Sequence, residues 1–173
     1  MIFLTNEHIA TVLDMRTSIE VMEDAYRELN EQRAAYRPRI DFFVPQEPHY
    51  YRWGTMEGAS RKLGVFAIRM KSDMLAWEQQ GEFQVEDKYC IQRGTYCGLI
   101  FLLSVRNAAP LALMNDGFLQ HMRVGACAGL GAKYLSRRNS KVVGMLGSGG
   151  MARTYAEAIS LVRPIEKMRV FSP

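Results

Sequence analysis

Cysteine, histidine and tryptophan are scarce in this chain, with three, three and two copies among 173 residues. Cys90, Cys97 and Cys127 make neither an even disulfide framework nor a Cys-x-x-Cys metal spacing. His8, His49 and His121 form no ligand pattern, so no metal site is expected. Long apolar runs are also missing. The longest strongly apolar stretch, around Leu99 to Leu103, is far short of the roughly 20 residues that cross a bilayer. With no signal-peptide pattern at the start, the expectation is a cytoplasmic protein in a reducing compartment, without a membrane partner. Nor is there a block of like charge. The net charge is +4, but Lys and Arg alternate with Asp and Glu along the chain, which describes a solvated surface and argues against a nucleic-acid partner. Internal repeats and low-complexity segments are absent.

What the chain does hold is enough apolar residue, 48%, to bury a core, and the expectation is one compact domain plus part of another. A short helix is expected from about Thr5. A second follows Thr17 and Glu20, which stand at capping-box spacing, with Ile19, Met22, Tyr26 and Leu29 at helical intervals. Pro38 and Pro45 bracket an extended piece. Strands are read at Tyr51 to Met56, Leu63 to Lys71, Thr95 to Ser104 and Leu111 to Met114. Between them, Met74 to Gln92 is polar and acidic without a clean period and is read as a long excursion near the sheet edge. Phe118, Met122, Ala126, Leu130 and Tyr134 mark one side of a helix from Gly117 to Ser136. Gly125, Gly129 and Gly131 within it imply close backbone packing. The fold class is α/β: an α+β substrate and dimerisation domain over residues 1–136, followed over 137–173 by the beginning of a Rossmann-type domain, its first βαβ unit.

That unit carries the sharpest chemical signal. The apolar strand Val142 to Leu146 runs into Gly147, Ser148, Gly149, Gly150, Met151 and Ala152, a GxGxxA string, and a helix follows. The first glycine permits a tight turn, the second lets the backbone approach a pyrophosphate, and the small last residue lets helix and strand pack closely. NAD or NADP is the expected cofactor. The second strand ends in Phe171-Ser172, without the carboxylate that bonds NAD ribose hydroxyls, which tilts the reading towards NADP. A dinucleotide domain needs about two mononucleotide halves, and two strands of one are present. The expectation is therefore a chain completed by a further C-terminal segment or by a second polypeptide.

The order of landmarks resembles the ornithine cyclodeaminase and mu-crystallin family. The resemblance is carried by Arg37-Pro38-Arg39, the strand ending in Lys71, Pro110 to Met114, Met122-Arg123-Val124-Gly125-Ala126, Gly131 to Leu135 and the Gly147 to Ala152 loop. It implies a homodimer and hydride transfer at the α-carbon of a small amino or imino acid, as in cyclodeamination of ornithine, alanine dehydrogenation or ketimine reduction. It also implies that Arg39, Lys71 and Arg123 bind the substrate and that Lys71 is catalytic. Arginine forks clamp a carboxylate, and a lysine beside the reacting carbon can relay a proton. From the residues alone, Arg39 and Arg123 read as solvated or ion-paired surface arginines and Lys71 as a solvated strand end, with Arg37 an equal competitor to Arg39. Asn115, Gln120 and Val124 stand where the family commonly has Asp, Thr and Thr, and the family's catalytic Asp would lie beyond this segment. His121, beside Arg123, is a weaker candidate donor. Glu78, Glu82, Glu86 and Asp87 read as a solvated carboxylate cluster. The leading expectation is an NAD(P)-dependent oxidoreductase or cyclodeaminase. The alternatives are a non-catalytic cofactor and small-ligand binding protein, or a fragment retaining only dimerisation.

Overall fold

The computed structural model describes residues 1–172, which divide into two compact units. One comprises residues 1–6 and 31–117 and is built on a single mixed sheet. Its strands are β1 (Ile2–Leu4), β2 (Ala34–Gln46), β3 (His49–Ser60), β4 (Val65–Gln80), β5 (Phe83–Tyr89), β6 (Cys97–Ser104) and β7 (Pro110–Asn115). The order across the sheet is β1-β7-β6-β4-β3-β2, antiparallel except for the parallel pair β1 and β7. The proline-bracketed segment is the edge strand β2, where the missing proline N–H groups are tolerated.

Two expectations for this unit need correction. The Met74 to Gln92 segment is no irregular excursion: β4 runs on to Gln80, turns at Gly81 with φ +63°, and returns as β5 paired to it residue by residue. Most of β5 is exposed, so neither face has to be apolar and the alternation that announces a half-buried strand is absent. For the same reason Lys71 does not end a strand; it lies in the middle of β4 and of the sheet.

The other unit comprises residues 7–30 and 118–172. It holds α2 (Met15–Asn30), α4 (Ala152–Val162), nearly all of α3 (Gly117–Leu135), and the parallel pair β8 (Val142–Leu146) and β9 (Lys167–Phe171) that α4 connects. A short α1 (Asn6–Ala10) precedes α2. The core of this unit is Met15, Ile19, Met122, Ala126, Leu130 and Ala158, which joins α2, α3 and α4. The first turn of α2 begins before Thr17, because Asp14 Oδ1 accepts the Thr17 N–H at 2.7 Å. Asp14 therefore does the capping assigned to Thr17, and its carboxyl is held below the ordinary value by that bond. The embedded glycines divide. A Cβ on Gly125 would meet Thr154 Cβ at 2.7 Å and one on Gly129 would meet Ala158 Cβ at 3.0 Å, so α3 and α4 approach through them; Gly131 faces open space.

Candidate functional site

Alternation along β4 puts Arg69, Lys71 and Asp73 on one face of the sheet. The register sets Arg52 opposite Asp73 and Gly54 opposite Lys71 on β3, with Gly98 opposite Lys71 on β6. Lys71 is thus flanked on both sides by residues without side chains. Carboxylates occupy the space above each glycine: a Cβ on Gly54 would collide with Asp41, and one on Gly98 with Asp116. Each of those carboxylates carries an arginine. Arg39 Nε donates to Asp41 Oδ1 at 2.8 Å, and Arg69 Nε donates to Asp116 Oδ2 at 2.6 Å.

Between them, Lys71 Nζ lies 3.3 Å from Asp73 Oδ1, and Arg52 donates to Asp73 Oδ2 at 2.6 Å. The Lys71 contact is an ion pair whose geometry falls short of a hydrogen bond. Asp73 Oδ1 and Arg52 Nε therefore stay buried without a hydrogen-bond partner among the described residues. Buried polar groups left in this state cost on the order of 1–3 kcal/mol each, and hydrogen-bonding capacity next to Lys71 is what a polar ligand would use. Burial works to raise the Asp73 pKa, but the hydrogen bond from Arg52 and the charges of Lys71 and Arg52 outweigh it and hold the carboxyl below its ordinary value. Four cations, Arg39, Arg52, Arg69 and Lys71, face three carboxylates, Asp41, Asp73 and Asp116, so the face keeps one positive charge in excess. Such a surface favours a monoanion.

A register shift between Arg37 and Ile40 separates the two arginine candidates. Arg37 stays on the side of its register partner Glu57 and is ion-paired to it, whereas Arg39 leans over Gly54, the register partner of Lys71. The fold therefore brings Arg39 and Lys71 together and sets Arg37 apart. Sequence reading missed Arg52, Arg69, Asp73 and Asp116. Asp116 was the most accessible of them, since it directly follows Asn115, where a carboxylate is looked for and not found. The Glu78 and Asp87 carboxylates both pair with Arg93.

Arg123 stands on α3, in the other unit. It is half-buried, has no hydrogen bond or ion pair among the described residues, and acts electrostatically on Tyr26, whose hydroxyl lies 3.4 Å from Cys127 Sγ. In the same unit the GxGxxA string forms the expected strand, loop and helix. Gly147 has φ +93° and donates its N–H to Phe171 O at 2.7 Å, closing the loop against the end of β9. Space around Gly147 and Gly149 is open, and no side chain caps the first turn of α4. Free backbone N–H groups at the positive end of an 11-residue helix, beside glycines that leave room, fit the pyrophosphate of a dinucleotide. His121 comes from α3 to the rim of this loop, where its Cε1 would lie 3.3 Å from a Cβ on Gly150. No helix among the described residues is long and apolar enough to cross a membrane.

The profile of the ornithine cyclodeaminase/mu-crystallin family matches residues 2–172. The Δ1-pyrroline-2-carboxylate reductase of Bacillus cereus is 38% identical over 82 residues, covering 47% of this chain and 25% of the reductase. The alanine dehydrogenase of Archaeoglobus fulgidus is 36% identical over 170 residues, covering 98% of this chain and 48% of the dehydrogenase. Among solved structures, Thermococcus litoralis Δ1-pyrroline-2-carboxylate reductase in complex with NADH and L-proline superposes with a TM-score of 0.79 at 27% identity, covering 99% of this chain and 49% of the other. Where the match runs over nearly the whole chain, the chain spans about half the length of the relative, 48% and 49%. With a mixed α/β fold, a charged sheet face around Lys71 and a family profile matching nearly every residue, the chain belongs to the ornithine cyclodeaminase/mu-crystallin family.

Proposed function

We propose that this chain supplies the substrate-facing part and the opening nucleotide loop of a cytoplasmic, homodimeric NAD(P)-dependent oxidoreductase or cyclodeaminase acting at the α-carbon of a small amino or imino acid. The observation that carries the reading is Lys71 standing between two glycines on a face with one positive charge in excess. Residues 1–136 form the substrate and dimerisation domain in this reading, and 137–173 begin the nucleotide domain. The excess charge suits a substrate carboxylate, which Arg39 holds from β2. The family resemblance also names Arg123 as a substrate-binding residue, and on α3 it has no pairing partner among the described residues. The Lys71 ammonium, steadied by Asp73, donates a proton to the substrate in the reductive direction and takes it back in the reverse one.

Gly147 to Ala152 and the start of α4 would hold the dinucleotide phosphates, and the bound nicotinamide supplies or accepts the hydride. Ser172 brings no carboxylate to repel a 2′-phosphate, so NADPH should bind at least as tightly as NADH. Exposed Ile40, Phe42, Phe43 and Val44 on the edge strand β2 give a second copy an apolar surface.

The test is steady oxidation of NADH or NADPH by the protein when a cyclic imino acid such as Δ1-pyrroline-2-carboxylate is added. Lys71→Met should lower kcat about 100-fold or more while dinucleotide binding, followed by fluorescence titration, is unchanged. Wild-type turnover in that variant would remove the role of Lys71. Absence of turnover with every imino and amino acid, together with saturable dinucleotide binding, would replace this reading with a binding protein.

A further inference from the structure

Along one edge of β4 the partner changes from β5 to β6. Tyr89 is the register partner of Met74 and Cys97 is that of Ser72, so only the position opposite Asp73 separates the two strands along this edge. A continuous strand would fill that gap with one residue; here the chain from Cys90 to Tyr96 is looped out of it. The neck of the loop is narrow. Tyr89 and Cys97 stand about 7 Å apart along the ladder, two strand positions, and Cys90 directly follows Tyr89. The Cys90 N–H donates to Thr95 O at 2.9 Å and Thr95 N donates to Gln92 O at 3.2 Å, folding the loop back on its own entrance. Ile91 at φ +67° and Gly94 at φ +80° make the reversals. Two half-buried thiols therefore stand at the loop entrance and line one cavity of about 540 Å³ with Gly98, Asn115 and Asp116.

We propose that Cys90 and Cys97 form an oxidative modification site, closing to an intramolecular disulfide when the protein meets a hydroperoxide. A disulfide needs Cα atoms about 4.4–6.8 Å apart, and both cysteines stand at the neck of one short loop and line one cavity. Burial first, and then the neighbouring Cys90 thiol, push the Cys97 thiol upward, so Cys97 acts second. The Cys90 thiolate attacks one peroxide oxygen; the O–O bond breaks and hydroxide leaves to take up the proton Cys90 gave. Cys97 sulfur then attacks the resulting sulfenic sulfur, the S–O bond breaks, and the departing oxygen leaves as water with the Cys97 proton. The balance is two thiols and one hydrogen peroxide to one disulfide and two waters. Closure fixes the loop at the rim of the cavity. Neither Lys71 nor the glycine loop takes part, so the proposal stands apart from the catalytic reading above.

Arg93 lies between the two cysteines and makes the product easy to identify. Trypsin cuts after Lys88, Arg93 and Arg106, so the disulfide joins the peptides Tyr89–Arg93 and Gly94–Arg106, which a thiol reductant separates again. Native protein treated with hydrogen peroxide should show this linked pair, two hydrogens lighter than its parts, and free thiols should fall from three to one, leaving Cys127. Cys97→Ser should stop the linkage and leave Cys90 as a sulfenic acid captured by dimedone, while Cys127→Ser should link normally. Alkylatable Cys90 and Cys97 after peroxide, linkage through Cys127, or linkage only between separate chains would each overturn the proposal.

Discussion

Asp73 is the hinge of the charge arrangement around Lys71, since it is fully buried and touches both Lys71 and Arg52. Removing one charge from a buried pair leaves the other desolvated and unmatched, so Asp73→Asn should destabilise the protein by on the order of 3 kcal/mol at neutral pH. The pH dependence has a definite sign. The folded-state pKa of Asp73 is depressed below its ordinary value near 3.8, so its stabilisation is present above that pH and is lost as pH falls through the folded value. Urea melts of wild type and variant should therefore differ most at neutral pH and converge in acid; an equal gap at every pH would remove Asp73 from this role. Gly98 is constrained in the same neighbourhood by sterics. Gly98→Ala would drive a methyl group into the Asp116 carboxylate and should cost about 1–3 kcal/mol in the same melts, with wild-type stability arguing that Asp116 moves aside freely. Arg52, Arg69, Asp73 and Asp116 were not singled out in the sequence, because each acquires its meaning from a residue on another strand.

At the level of elements, α3 offers a paired comparison. Gly131→Ala removes backbone entropy from the unfolded chain and meets nothing in the fold, so thermal unfolding should shift upward by an amount equivalent to as much as about 1 kcal/mol. Gly125→Ala should shift it downward, because its Cβ would meet Thr154 Cβ at 2.7 Å and Met15 Cε at 2.9 Å. Equal shifts of one sign at both sites would contradict the close approach of α3 and α4. The amphipathic helices and the buried strands were readable because one face of each is covered and periodicity survives. The start of α2 was misplaced by a few residues, since Thr17 with Glu20 has capping-box spacing while Asp14 makes the bond. The β4 and β5 hairpin was missed for a different reason: most of β5 is exposed, and where neither face must be apolar no period is written.

For the whole molecule, the exposed apolar residues of β2 lead to a prediction about assembly. Sedimentation equilibrium should give twice the chain mass at micromolar concentration, and Phe42→Glu with Ile40→Glu should return the monomer while leaving the far-UV spectrum unchanged. A wild-type monomer would assign that apolar edge to something other than a second copy. Net charge has little bearing on this contact, as the +4 is dispersed along the chain.

The sequence by itself determined what depends on neighbours along the chain. It specified the mixed α/β class, the strand, glycine loop and helix at Gly147 to Ala152, and the order of motifs that places the chain in its family, because turns, periods and helix starts are local properties. Only the tertiary structure decided which charges meet. Register put Lys71 between Gly54 and Gly98, a shift in β2 turned Arg39 and not Arg37 towards it, and pairing along β4 set the ends of β5 and β6 one position apart. Those outcomes rest on hydrogen-bonded contacts between strands far apart in the chain, and a one-residue slip would have sent every one of these side chains to the opposite face.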